Sequence, residues 1–280
     1  MAKAFRTRFD RVTLERLRID DEKSVRRVGV YSRLKDLLVR DGYRFRVQTA
    51  GPAIDWERAV FLNLSFWSEA DSADVVVGAS IAADEVAHVA WHHLARRALG
   101  VAARTVDGML LGESIASAFD VYLIGRLLVD APRAPYVASQ LEAMSEASGL
   151  APAAFRKLLE GLAADPAQAF ATLRALLFDV ATSLVRARGI DDAAARLDAF
   201  RARPLFALLH HYNVSNWILH GRAHGPAFGA RLDARIAKVD RALKTSGGEL
   251  DWLDRAWLRP TETKRVTSGI VRRGKPRGSS

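Results

Sequence analysis

Cysteine is absent from all 280 residues. That removes disulfides, thiolate-held zinc, iron–sulfur clusters and cysteine nucleophiles together. Any metal must then be held by imidazole and carboxylate, a donor set that suits zinc, iron or manganese. The chain also lacks an uninterrupted apolar run of the roughly 20 residues needed to span a bilayer. Behind the basic start Met1-Ala2-Lys3-Ala4-Phe5-Arg6 there is no apolar stretch of signal-peptide type, and Asp10, Glu15, Asp20, Asp21 and Glu22 do not suit a transit peptide. Cytoplasm is the expected compartment. Other signals are missing too: a glycine-rich phosphate loop, a Rossmann fingerprint, a Gly-x-Ser-x-Gly elbow, and aromatics interleaved with Lys/Arg as a nucleic-acid surface.

Charge is abundant, but it is not spread evenly. The net charge is +10. Residues 1–27 hold nine Lys/Arg and five Asp/Glu, and residues 259–280 hold seven and one, which leaves 26 of each in between. The folded centre is therefore neutral and the basicity sits at the ends. Such ends can touch nucleic acid or an acidic partner. The reading preferred here is a solvated tail.

Apolar periodicity predicts a helix over 22–41, with Asp41-Gly42 as its stop. Strict alternation in Tyr43-Arg44-Phe45-Arg46-Val47 predicts a strand, and residues 58–67 a second one, together a small hairpin or sheet. From about Ser72 the pattern is helical. Helices are expected over 72–99, 108–130, 136–147, 152–163, 166–188, 191–202, 204–223 and 226–244, with a short docking helix over 249–259. The fold class is thus mainly α with a small β-hairpin or sheet near the N-terminus. The chain reads as a basic segment 1–21, one mostly helical domain 22–259, and a disordered basic tail 260–280.

All seven histidines fall in two clusters. In the first, Asp84-Glu85-Val86-Ala87-His88-Val89-Ala90-Trp91-His92-His93, a helix places Glu85, His88 and His92 within an arc of about 60°. Asp84 flanks the arc and His93 turns away. Two imidazoles one turn apart form a natural pincer for a transition metal. On the next helix Glu113, Ser117 and Asp120 share one face, and a short connection packs the two helices antiparallel. A carboxylate from the second can then complete a site begun by His88 and His92. In the second cluster, His210, His211, His220 and His224, a continuous helix would line up Asn213, Asn216, His220 and His224 as a substrate-lining or supporting face.

The first cluster, with the sheet before it and Glu113-Ser114-Ile115-Ala116-Ser117-Ala118-Phe119 after it, resembles the active-site region of zincin metallopeptidases of the gluzincin type. Those carry HExxH on one helix and a glutamate ligand on the next. The match covers roughly residues 43–128, and the motif departs from the family pattern. In one register Asp84-Glu85-Val86-Ala87-His88 puts Asp at the first ligand and Glu85 at the general base. In the other, His88-Val89-Ala90-Trp91-His92 keeps both histidines and puts Val89 at the base. The resemblance implies a divalent ion, zinc first, held by His88 and Glu113 with Asp84 or His92; iron is the alternative that goes with the oxidase reading below. It implies Glu85 as base and a peptide or amide as substrate. Asp120, Ser117, His220, His224 and Asn216 are expected around the ion or the substrate. Two rival readings are a helical non-haem iron oxidase built on Glu85-x-x-His88 and a non-catalytic binding protein with a structural histidine cluster.

Overall fold

Pro135, Pro152 and Pro166 each stand in the first turn of a helix, where the missing N–H would have no partner and the ring presets φ. Punctuation of this kind sets the element order. A computed structural model describes residues 8–50, 75–76, 78–224 and 231–259. The strands are β1 (Arg8–Thr13), β2 (Arg18–Asp20), β3 (Arg44–Ala50), β4 (Val75–Val76) and β5 (Ser80–Ala82). The helices are α1 (Glu22–Val25), α2 (Gly29–Arg40), α3 (Ala83–Leu99), α4 (Val106–Asp130), α5 (Pro135–Ser148), α6 (Pro152–Ala164), α7 (Pro166–Val185), α8 (Ile190–Asp198), α9 (Val214–His224), α10 (Ala234–Thr245) and α11 (Glu249–Leu253). The fold is mainly α with a small β portion near the N-terminus, as expected.

The β portion differs in detail from a hairpin. β3 pairs antiparallel with β1 and parallel with β4, while β2 and β5 form a separate parallel pair. Arg8–Thr13 and Arg18–Asp20 of the basic N-terminal segment are therefore part of the sheets. The strand expected over 58–67 and the tail 260–280 lie outside the described residues.

Several expected helices are shorter or broken: 191–202 ends at Asp198 and 226–244 starts at Ala234, and three others change more. The 72–99 helix begins only at Ala83. Before it, Val75–Val76 and Ser80–Ala82 are strands, because a run of stiff β-branched valines favours extended backbone. Gly78 then turns the chain at φ +79, which a helix does not allow. The 22–41 helix divides at Val28, whose backbone is extended. The 204–223 helix gives way to turns around Phe206–Leu208, with Leu205 and Asn213 at positive φ, and only α9 remains.

α4 is the central element, packed against α3, α6, α7 and α10. Trp91 of α3, fully buried, meets Phe119 of α4 edge-on at 5.4 Å and sets how the two helices face each other. Close backbone approach requires glycine at two points of α4. A Cβ on Gly108 would lie 2.0 Å from the Ala102 carbonyl oxygen, and one on Gly125 would lie 2.4 Å from that of Leu162. By length and composition alone α4 and α7 are apolar enough to cross a membrane, but most of the apolar stretch of α4 is buried within this fold.

Two ion pairs, one fully buried and one partly so, tie distant elements to this frame. Arg174 of α7 is fully buried and donates from Nε and Nη2 to Glu249 at 2.6 and 2.8 Å and from Nη1 to Asp240 at 2.6 Å. Arg186 grips Asp107 near the start of α4, with both oxygens within 2.9 Å.

Candidate metal centre

α3 starts where the Ala82 N–H, at the helix entrance, donates to the Glu85 side chain at 3.2 Å. Three turns of α3 then carry Asp84, His88 and His92 on one side, and α4 presents Glu113, Ser117 and Asp120 to it. The connection through Gly100–Arg104 is short, so the helices run antiparallel. His92 meets Glu113 and His88 meets Asp120.

The donor atoms of three residues converge. His88 Nε2 and His92 Nε2 are 3.2 Å apart. Glu113 Oε2 is 3.7 Å from the first and 3.5 Å from the second. His88, His92 and Glu113 are the one group among the described residues with ligand atoms arranged to hold a metal ion. Glu113 is buried and the two histidines are half-buried. The other ring nitrogen of His88, Nδ1, lies 3.5 Å from Asp120 Oδ2. A carboxylate there fixes the ring and its tautomer, leaving Nε2 to face the group.

Electrostatics around the group follow from burial and mutual charge. Burial disfavours the charged imidazolium of His88, but the Asp120 and Glu113 carboxylates outweigh it and hold the ring well above the usual histidine range. Burial likewise disfavours the Glu113 carboxylate, yet His92 and His88 outweigh it and hold it down to about 2. Without an ion the charges of Asp120 and Glu113 are therefore met by a proton on His88. Asp84, one turn before His88, goes the other way. Burial, then the charges of Asp120 and Glu85, push it up to about 7.

The structure separates the residues expected at the site. His88, His92 and Glu113 come together, with Asp120 behind His88 and Ser117 buried on the same face of α4. Asp84 stands beside the group but outside it. Glu85 is exposed, and its carboxylate turns back to the helix entrance rather than toward the histidines. His93 turns away as expected and pairs with Asp41 at 2.8 Å. In the second cluster Asn213 lies in a left-handed turn, so it does not continue the face of Asn216 and His220. His220 is buried on α9, Asn216 is half-buried, and the His224 side chain lies outside the described residues. The turn before α9 lies within the field of the site. His211 and Tyr212 both feel the charge of Asp120. Tyr136 of α5 feels Asp120, Asp84 and Tyr212, and burial pushes its phenol well up. These tyrosines have no spacing signal in the sequence, because they reach the site from α5 and from a turn.

Comparison of the chain with models of protein families, with curated proteins and with solved structures gave no match.

Proposed function

We propose that His88, His92 and Glu113 hold a single divalent ion, zinc in the first place, and that the chain is a metal-dependent hydrolase acting on an amide or peptide. The observation that carries this reading is the spacing of the three donors. Bonds of 2.0–2.1 Å in a tetrahedral array separate donors by about 3.3 Å. Cis donors of an octahedral site with bonds of similar length lie about 3.0 Å apart. The separations here, 3.2, 3.5 and 3.7 Å, favour the tetrahedral case. Two imidazoles and one carboxylate leave a fourth position for water or substrate, the pattern of a catalytic rather than a structural zinc. An ion so held acidifies a bound water and polarises a carbonyl.

The register that supports this is His88-Val89-Ala90-Trp91-His92, with Glu113 as third ligand. Val89, buried at 7% exposure, stands where a zincin has its base. Glu85 caps α3. The protein groups contribute binding and orientation: Asp120 orients His88, and the packed α3–α4 pair holds the three donors in place. The di-iron alternative has less support, since no second donor group is present among the described residues.

Elemental analysis of the purified chain beside a His88→Ala control tests the reading. About one zinc per chain, lost in the control, supports it, and hydrolysis in an amide and peptide screen would complete it. No metal after reconstitution, or two iron ions per chain, overturns it.

A further inference from the structure

Like charges facing each other across two strands destabilise a sheet. β1 and β3 nevertheless pair Arg11 directly with Arg46, and Thr13 with Arg44. Phe45 is fully buried, and Val12 and Val47 pack against the same core. Side chains alternate along a strand, so Phe9, Arg11, Thr13, Arg44 and Arg46 share the opposite face. Arg11 and Arg44 are exposed, and Phe9 and Arg46 are half-buried. None of these five residues is acidic. The chain enters β1 with the same sign of charge, since residues 1–8 hold Lys3, Arg6 and Arg8 and no Asp or Glu.

The face offers more than charge. The Arg46 guanidinium lies over the Phe9 ring, 5.6 Å from its centroid. Cation–π attraction holds the two together, and a nucleic-acid base can continue the stack on the guanidinium plane or on the ring. Arg11 stands across from Arg46, and Arg44 lies two residues along β3, about 7 Å away. Cations therefore flank the stack on two sides, and arginine grips phosphate with a planar fork of donors. A linear reading of the sequence does not show this, because Phe9 and Arg46 belong to different strands and only the register brings them together.

We propose that the outer face of β1 and β3 binds a single-stranded nucleic acid, with one base stacked on the Phe9–Arg46 pair and the neighbouring phosphates held by Arg11 and Arg44. The chemistry of the face selects this occupant. An acidic peptide or an anionic lipid headgroup uses the arginines but leaves the aromatic ring without a role. A duplex keeps its base faces stacked on one another. The inference goes beyond the metal-site reading and does not depend on it.

Fluorescence anisotropy of the full chain with a labelled oligothymidylate tests it, at a length of about 12 nucleotides, inside the range of single-strand platforms. The wild-type protein should bind at low salt and lose affinity as salt rises. Phe9→Leu keeps an apolar side chain and removes the ring. Its affinity should fall about five- to a hundred-fold, with the salt dependence unchanged. In the double variant Arg11→Gln with Arg44→Gln, the slope of log affinity against log salt should flatten by about 1.4, for two phosphate contacts. Both basic ends of the chain remain in that variant. Absence of binding by the wild-type protein overturns the proposal. So does binding that both variants retain, which would assign it to the ends of the chain. Loss in the arginine variant alone means charge without stacking, and tighter binding to a duplex, to polyglutamate or to anionic vesicles means another partner; each overturns the single-strand assignment. Circular dichroism checks that the variants fold. Should Phe9→Leu fail to fold, the wild-type preference for oligothymidylate over an abasic strand of equal length reads the stacking instead, and equal binding of those two strands overturns it.

Discussion

Zinc uptake should depend on pH in a way set by His88. In the metal-free chain its imidazole holds a proton well above the ordinary histidine range, because Asp120 and Glu113 outweigh its burial. A ligand nitrogen must be deprotonated to bind, so each ion that enters displaces that proton. Below the raised pKa of His88, displacing one proton weakens binding tenfold for each unit of pH lowered, about 1.4 kcal/mol. Glu113, held down to about 2, adds nothing to this slope in the same range. As pH falls from 8 to 6 the zinc dissociation constant should therefore rise, approaching tenfold per unit wherever the pH lies below that raised pKa. Competition against a chromophoric chelator at several pH values, corrected for the chelator's own protonation, measures this directly. Release of about one proton per zinc, read as the buffer dependence of the binding enthalpy, is an independent check. A change of less than threefold across those two units would refute the argument, since His88 would then be neutral before the ion arrives or would not be a ligand.

Four further outcomes are expected. Asp120→Asn should weaken zinc binding about ten- to a hundred-fold, because a ring no longer held by a carboxylate is a poorer ligand. Glu85→Ala should lower stability by roughly 0.5–1 kcal/mol through the lost contact at the entrance of α3 and leave zinc content intact; loss of hydrolysis in Glu85→Gln with the metal still bound would instead return Glu85 to the role of base. Arg174→Met should cost about 3–5 kcal/mol in urea unfolding, since Glu249 is left buried without a partner, whereas Asp240 keeps Lys244 at 3.0 Å. Gly125→Ala should cost about 1–3 kcal/mol, measured the same way, because its Cβ would lie 2.4 Å from the Leu162 carbonyl oxygen.

The helices from α4 through α7 are legible in the sequence because each is bounded by Pro or Gly and carries a long apolar stripe. So is the convergence of His88, His92 and Glu113, since they lie at helical spacing on two consecutive helices and need no distant partner. What escapes is of two kinds. Backbone at Val28, Leu205 and Asn213 departs from helical geometry although the apolar spacing on either side continues, and periodicity does not record φ. Residues gathered by tertiary packing are the second kind. Tyr136 and Tyr212 approach Asp120 from separate elements, and nothing local marks them. Glu85 shows the reverse error. It shares the arc of the histidines by angle, yet as the third residue of α3 its carboxylate satisfies a backbone N–H at the helix entrance.

Because α4 is buried around nearly its whole circumference, its backbone amides have few ways to meet water short of unfolding the domain. Their exchange with deuterium should be among the slowest in the chain and should track global stability. Glu113 and Asp120 ride on this helix, whereas Asp84 lies in the first turn of α3, close to its entrance. Both carboxylates that face His88 and His92 are thus mounted on the least yielding part of the molecule, and any opening that admits a ligand must come from the elements that surround α4 rather than from α4 itself.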